Sequence, residues 1–312
     1  MAGTISRSVH HDQGRPTHAN PSARKRAQVA RVSRSCLPVL LIGFPLLSGC
    51  AALQLGVVNH AGPIAESQWR LYLVVGFVLI FVALPVLLLT PLMAWHYRLS
   101  NRHGAFRPRW NFSWVLEAFI WIPPTAIVIG LAFILWTSTH ELDPYRAISS
   151  EQPTLEVEAA ALDWKWLFIY PREKIAVLNQ LAIPVGRPVH ISLTSGTVMQ
   201  SLLIPQLAGQ IYAMAGMTTE LNLAADRLGI FRGENTQFNG EGFQDQKFDV
   251  LALGVEDYKA WLIRAGETGK QFDATAFDEL FERNSPPAPV FYAFAPDDLF
   301  QHIRVKALEP KR

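Results

Sequence analysis

Two long runs without formal charge constrain this chain more than anything else in it. Residues 71–97 contain no Asp, Glu, Lys or Arg and are dense in Leu, Val, Ile and Phe; a second run at 112–136 carries one charge, Glu117. A helix needs about 20 apolar residues to cross a bilayer, so both runs are long enough. Pro85 and Pro91 interrupt the first and Pro123 and Pro124 the second. Helices in lipid tolerate this when neighbours satisfy the freed carbonyls. Trp69, Trp95, Trp110, Trp114 and Trp136 lie near the expected ends, as interfacial aromatic belts do. Composition agrees: 17% of residues are charged, against about 25% in an ordinary soluble domain. The alternative, a soluble chain with two buried helices, fits these runs poorly. The formal net charge of +2 gives no basis for nucleic-acid binding.

The stretch between the runs holds Arg98, Arg102, Arg107 and Arg109, whereas the far flanks hold mainly Glu66, Arg70, Glu141 and Asp143. The positive-inside rule places the Arg-rich loop in the cytoplasm and both chain ends outside.

The N-terminus reads as a secretory address. Arg24, Lys25, Arg26, Arg31 and Arg34 precede a short apolar core at 37–47, followed by Leu47-Ser48-Gly49-Cys50. That core is about half the length needed to span a membrane, and the layout is that of a signal peptide. The closing tetrapeptide resembles a bacterial lipobox, which implies cleavage before Cys50 and acylation of its thiol. Cys36, the other cysteine, would be discarded. One acyl chain binds membranes only marginally, so the lipid would position the N-terminus more than hold it.

From 154 the pattern changes to period two. Leu155, Val157 and Ala159 alternate with Glu156 and Glu158, and Val189, Ile191 and Leu193 with His190, Ser192 and Thr194. Such short runs, punctuated by Pro184, Gly186, Pro188, Gly196, Pro205, Gly209 and Gly216, predict an antiparallel β-sandwich or barrel ending near Gly254. Helical spacing follows at 256–263 and 274–281. Pro286, Pro287 and Pro289 then open a tail with Phe291, Tyr292, Phe294 and Phe300. The predicted order is a removed signal at 1–49, an acylated outer segment at 50–68, and spanning helices at 69–97 and 112–139 around a cytoplasmic loop at 98–111. The β-domain covers 150–255 and the helical, aromatic-rich tail 256–312. No nucleophile elbow, Walker loop or dinucleotide fingerprint occurs. The histidines are scattered singly, so no catalytic residue is expected.

Glu117 stands near the cytoplasmic end of the second run. A carboxylate at mid-membrane costs about 2.5–3.5 kcal/mol on insertion scales, which the surrounding Leu, Ile, Val and Phe offset at about 0.3–0.6 kcal/mol each. It reads either as an acid snorkelling to the interface or as a proton-accepting group, since a carboxyl taken out of water holds its proton more readily.

Two segments carry a family resemblance. Asp163-Trp164-Lys165-Trp166-Leu167-Phe168-Ile169-Tyr170-Pro171 and residues 201–217, SLLIPQLAGQIYAMAGM, resemble subunit II of haem–copper oxidases. The second is similar specifically to bo-type ubiquinol oxidases, and Glu117-Ala-Phe-Ile-Trp121 followed by Pro124 resembles that family's second helix. The resemblance implies a cupredoxin-like barrel or sandwich beyond the two-helix hairpin. Cytochrome c oxidase members carry a two-copper centre there, built from two His, two Cys, a Met and a carbonyl. Position by position, the His ligands fall on Gln200 and Phe243, the Cys ligands on Asn235 and Asn239, the carbonyl donor on Gln237 and the Met on Gln246. Soft thiolates hold such a cluster and amides do not. The resemblance therefore implies a metal-free, non-redox subunit of a ubiquinol oxidase in the bacterial inner membrane, with haems, copper and the quinol site in a partner subunit I. It also implies a proton-relay role for Glu117, at the mouth of a proton pathway. Trp164 and Trp166, the electron-entry pair of copper-bearing relatives, would survive as packing. A cytochrome c oxidase subunit and a stand-alone periplasmic lipoprotein are the competing classes; the missing ligands argue against the first.

Overall fold

A computed structural model describes residues 56–98, 100–101 and 110–309. Cys36, Cys50, the lipobox and Arg102, His103, Arg107 and Arg109 lie outside the described residues. Helix α1 spans Pro63–His96 and α2 spans Trp114–Glu141. At about 1.5 Å per residue they are roughly 51 and 42 Å long, more than the ~30 Å of a hydrocarbon core. Both stay helical through their internal prolines, and their apolar windows are not buried by the rest of the chain. Helix α1 begins six residues before the predicted 69, because Pro63 occupies its first position, where a missing N–H costs nothing. Arg70 and Glu66 then pair one turn apart on its surface.

The segment before α1 is strapped to the β-domain. Ala61 donates its N–H to Gln206 O and accepts from Asp226 N, both at 2.7 Å. Asn59 O accepts from Gln206 Nε2 at 3.1 Å and Arg227 Nη2 at 2.8 Å. Gly62 sits so close that a Cβ there would lie 2.2 Å from Ala224 O.

The β-domain is a sandwich of two sheets. Strands β1 (Leu155–Leu162), β2 (Lys165–Tyr170), β3 (Ile175–Leu178), β5 (Val189–Ser195) and β8 (Thr219–Leu223) build most of the first, which β11 (Lys270–Gln271) and β12 (Val290–Ala293) complete. Strands β4 (Gln180–Pro184), β6 (Gln200–Leu203), β7 (Gln210–Ala213), β9 (Gly229–Asn235) and β10 (Lys247–Leu253) build the second. The first carries its seven strands in the order β11-β12-β3-β2-β1-β5-β8 and the second its five in the order β4-β10-β9-β6-β7. The pairing is mixed: β1 runs parallel to β5 with Leu155 opposite Val189, and β10 parallel to β4.

The sheet does not end at Gly254. Helix α3 (Val255–Thr268) and a two-residue strand β11 (Lys270–Gln271) lead to α4 (Ala274–Leu280), β12 (Val290–Ala293) and α5 (Leu299–Lys306). Strand β12 pairs antiparallel with β3, Phe291 opposite Val177, so the tail extends the first sheet. Helices α4 and α5 cover the outer face of that sheet.

Two cores result. Between the sheets lie Trp166, Phe168, Tyr170, Leu181, Ile183, Phe248 and Val250. Under the tail lie Leu162, Leu167, Ile169, Leu280, Phe300 and Ile303. Strand β2 is therefore buried on both faces along its whole length. Its middle reads as a continuous apolar run, as two-sided burial requires.

Candidate functional site

Gln200, Asn235 and Gln246 are brought together at one end of the sandwich, each at most 5% exposed. Gln200 starts β6 and Asn235 ends β9. Gln246 follows a 3-10 turn at Phe243–Asp245, just before β10. The loop from β9 to β10 folds back, and Gln246 becomes the hub. Its Oε1 accepts from Asn235 Nδ2 at 3.0 Å and Asn239 Nδ2 at 2.7 Å. Its Nε2 donates to Gln200 Oε1 and to Leu162 O at 3.2 Å.

Two of the hub's partners, Gln200 and Asn235, are themselves satisfied. Gln200 Nε2 donates to Leu162 O and Thr197 Oγ1, both at 3.1 Å. Asn235 Oδ1 accepts from the backbone N–H of Ser201 and of Gln237, both at 3.0 Å. Gln237 takes part through its main chain, since its carbonyl accepts from Asn235 Nδ2 at 2.8 Å. Phe243 stands outside the network, with its ring 5.7 Å from that of Phe238. Asn239 Oδ1 is buried with no hydrogen-bond partner. Five of the six positions matched to copper ligands thus meet in one polar knot, and the sixth joins an aromatic pair.

The donor set does not suit copper. It offers amide oxygens and amide NH₂ groups, with no thiolate, imidazole or thioether, whereas a copper pair needs soft sulfur and imidazole ligands. Gln246's amide is also saturated by its neighbours, which leaves it nothing to offer a metal. Among the described residues no group of three or more His, Cys, Asp and Glu is placed to hold an ion.

The turn between β1 and β2 forms the floor of the knot. Trp164 takes a left-handed backbone there (φ 68°). Its Nε1 donates to Asn239 O at 3.4 Å. Its ring lies on Gly242, where a Cβ would come within 2.2 Å of Trp164 Cδ2. Trp166 points into the core instead, 6.5 Å from the Phe168 ring and 6.0 Å from Phe248.

Lys165, inside the first motif, is a buried cation at 1% exposure to which the sequence alone assigns no role. Its Nζ donates to Glu282 O at 2.8 Å, Asn284 Oδ1 at 2.7 Å and Glu279 O at 3.3 Å. Burial pushes its pKa below the ordinary lysine value, against the opposing pull of Glu282, Asp163 and Glu279. Asp163 beside it pairs with Arg283 at 3.3 Å. A lysine flanked by two tryptophans in an apolar strand was the available signal; its partners, more than 110 positions away, were not visible.

Glu117 is not part of this site. It stands in the first turn of α2, a helix length from the sandwich, and its Oε2 accepts from Trp121 Nε1 at 3.2 Å.

Comparison with known proteins fits this geometry. The family profile described as cytochrome c oxidase subunit II, periplasmic domain, matches residues 136–246 and so ends on the hub glutamine. Cytochrome bo(3) ubiquinol oxidase subunit 2 of Pseudomonas putida is 38% identical over 262 residues, 84% of this chain and 82% of that protein. Ubiquinol oxidase subunit 2 of Acetobacter aceti is 40% identical over 263 residues, 84% of each chain.

This chain belongs to the subunit II family of terminal quinol oxidases.

Quinol oxidase subunit 2 of Bacillus subtilis, 35% identical over 78% of this chain and 76% of its own length, extends the likeness further. The sandwich is the cupredoxin-like domain of this subunit II family, preceded by two apolar helices. Among solved structures, the periplasmic domain of subunit II of cytochrome oxidase from Bradyrhizobium japonicum aligns with 39% of this chain and 99% of its own. The identity is 16% and the TM-score 0.37. A subunit II of a terminal quinol oxidase is one part of an oxidoreductase complex, and this one fits a membrane-bound subunit.

Proposed function

We propose that this chain is the metal-free, non-redox subunit II of a bacterial ubiquinol oxidase complex that oxidises ubiquinol, reduces oxygen to water and translocates protons. The amide knot of Gln200, Asn235, Asn239 and Gln246 carries this reading. It fills, with neutral hydrogen-bonding groups, the place where a copper-bearing relative needs thiolates and imidazoles. Electrons then have no reason to pass through this chain, and a lipid-soluble quinol is the donor that fits. Haems, copper and the quinol site belong to a large subunit I, and no catalytic centre lies in subunit II. Trp164 and Trp166 serve as packing: one lies against the knot's loop and the other fills the core.

The two helices cross the inner membrane with both ends outward and the sandwich in the periplasm. Cys50 carries the lipid that fixes the mature N-terminus. The strap at Asn59, Ala61 and Gly62 supports a positional role for that lipid, because it already ties the start of α1 to the sandwich. Glu117 relays protons at the junction with subunit I.

Purification through a tag on this chain in mild detergent, followed by absorption spectroscopy and metal analysis, tests the reading. A haem-bearing large subunit should co-purify, with all copper retained after the sandwich is removed by proteolysis. A colourless monomer, or copper that leaves with the sandwich, would overturn it.

A further inference from the structure

The knot and the tail share one structural element, the turn at 162–165. On its inner side the carbonyl of Leu162 accepts from both Gln200 Nε2 and Gln246 Nε2, and the carbonyl of Lys165 accepts from Gln246 Nε2 at 3.4 Å. On its outer side the Lys165 ammonium and the Asp163 carboxylate hold the tail between Glu279 and Asn284. A second bridge runs directly between the two regions, since Ser285 Oγ donates to Asp245 O at 3.2 Å, one residue before the hub.

The backbone of the turn makes this sharing consequential. Trp164 is held in the left-handed region, which a tryptophan adopts only where its surroundings over-determine it. Hydrogen bonds from the knot restrain one side of the turn and the tail restrains the other. Release either side and the turn can relax, carrying the Leu162 and Lys165 carbonyls away from the amides they satisfy.

We infer that the tail at 270–309 and the amide knot form one cooperative unit coupled through the turn 162–165, with the docked tail acting as the strap that keeps the knot closed. The tail is then a conformational element of the site as well as a cover for a sheet face. The inference rests on contacts within this chain and stands independently of the redox role assigned above. Coupling of this kind is reciprocal: whatever loosens the tail loosens the knot, and the converse.

Amide hydrogen exchange read by mass spectrometry on the intact purified oxidase tests it. The reporters are peptides covering the tail and peptides covering 234–246, where Asn235 N bonds Gln246 O and Thr236 N bonds Ser201 O. Lys165→Met should speed exchange in both sets, by about tenfold or more. Gln246→Leu, which leaves every tail contact in place, should speed exchange in the tail. Ser285→Ala removes one exposed hydroxyl and leaves the core intact. It should raise both sets by a few-fold, the scale of one net hydrogen bond (about fivefold). Exchange that rises in one set while the other keeps its wild-type rate, in any of the three variants, would overturn the coupling, as would no change in either set.

Discussion

Lys165 Nζ lies 2.7 Å from Asn284 Oδ1, a contact between residues 119 positions apart that pins the tail to the turn between β1 and β2. Two backbone carbonyls, of Glu279 and Glu282, complete its partners. Glu279 O lies in the last turn of α4 and Glu282 O just beyond it, and each also accepts from a backbone N–H, of Glu282 and of Asn284. The cation therefore caps a helix end and locks a loop in one move.

Replacing Lys165 with Met keeps the apolar stem and removes the three hydrogen bonds that the ammonium donates. Hydrogen bonds to a charged group contribute about 1.5–3 kcal/mol, so the melting temperature of the subunit should fall by several degrees. Protease should cut first between 270 and 290. Unchanged stability would show that water replaces the ammonium at no cost.

Gln246→Leu tests the hub. It leaves the Asn239 amide N–H and the Gln200 side-chain carbonyl without their partner and takes one of two acceptors from Asn235 Nδ2. The expected loss is at least about 2 kcal/mol by chemical denaturation, because two groups of one network are orphaned together. Gln200→Leu should cost less, since it removes a peripheral member of the network.

Gly62→Ala should disturb the junction between α1 and the sandwich, because its new Cβ would meet the rigid Ala224 carbonyl at 2.2 Å. Overpacking of this kind costs about 1–3 kcal/mol. The variant should show faster proteolysis around 56–62 with the sandwich itself intact. The same substitution at Gly76, where a Cβ meets nothing within 4 Å, is the neutral control.

Alkaline titration has a defined sign. Burial, together with the neighbouring Tyr258, pushes the Tyr170 hydroxyl well above its ordinary value, and burial with Glu173 pushes Tyr258 up in the same direction. The unfolded chain releases these protons near the ordinary tyrosine pKa of about 10. The stabilisation is therefore complete below that pH and declines as pH climbs past it. Tyrosinate absorbance should show two phenols that ionise only as the protein unfolds. All seven tyrosines of the chain titrating reversibly near pH 10 in the native state would contradict this.

Glu117→Gln keeps the side-chain shape and the oxygen that accepts from Trp121 Nε1, but removes the titratable group. The complex should assemble normally while turnover and proton pumping fall together. Wild-type turnover and pumping would exclude a relay role for Glu117.

How much of this was legible in the sequence varies by element. The two apolar helices follow from charge-free runs, and the period-two alternation of Leu155, Val157 and Ala159 identifies a strand with one buried face. The same strand stops alternating at Ala159–Ala160–Ala161–Leu162, and Trp166 to Tyr170 never alternates. Those lapses are the mark of a second core on the outer face, but nothing local says what covers it. The cover is the tail, whose β12 pairs with β3 across more than a hundred residues. The positions of the knot were legible only through a family likeness. Its wiring depends on where the 236–246 loop folds back, which residue spacing does not specify.

The knot's chemistry has a consequence for durability. Side-chain amides neither titrate across the range in which proteins stay folded nor change oxidation state, and their geometry does not depend on soft metal ligands. A joint built from them should keep its shape in acid, under peroxide and in EDTA alike, conditions under which a thiolate-ligated metal in the same position would come apart.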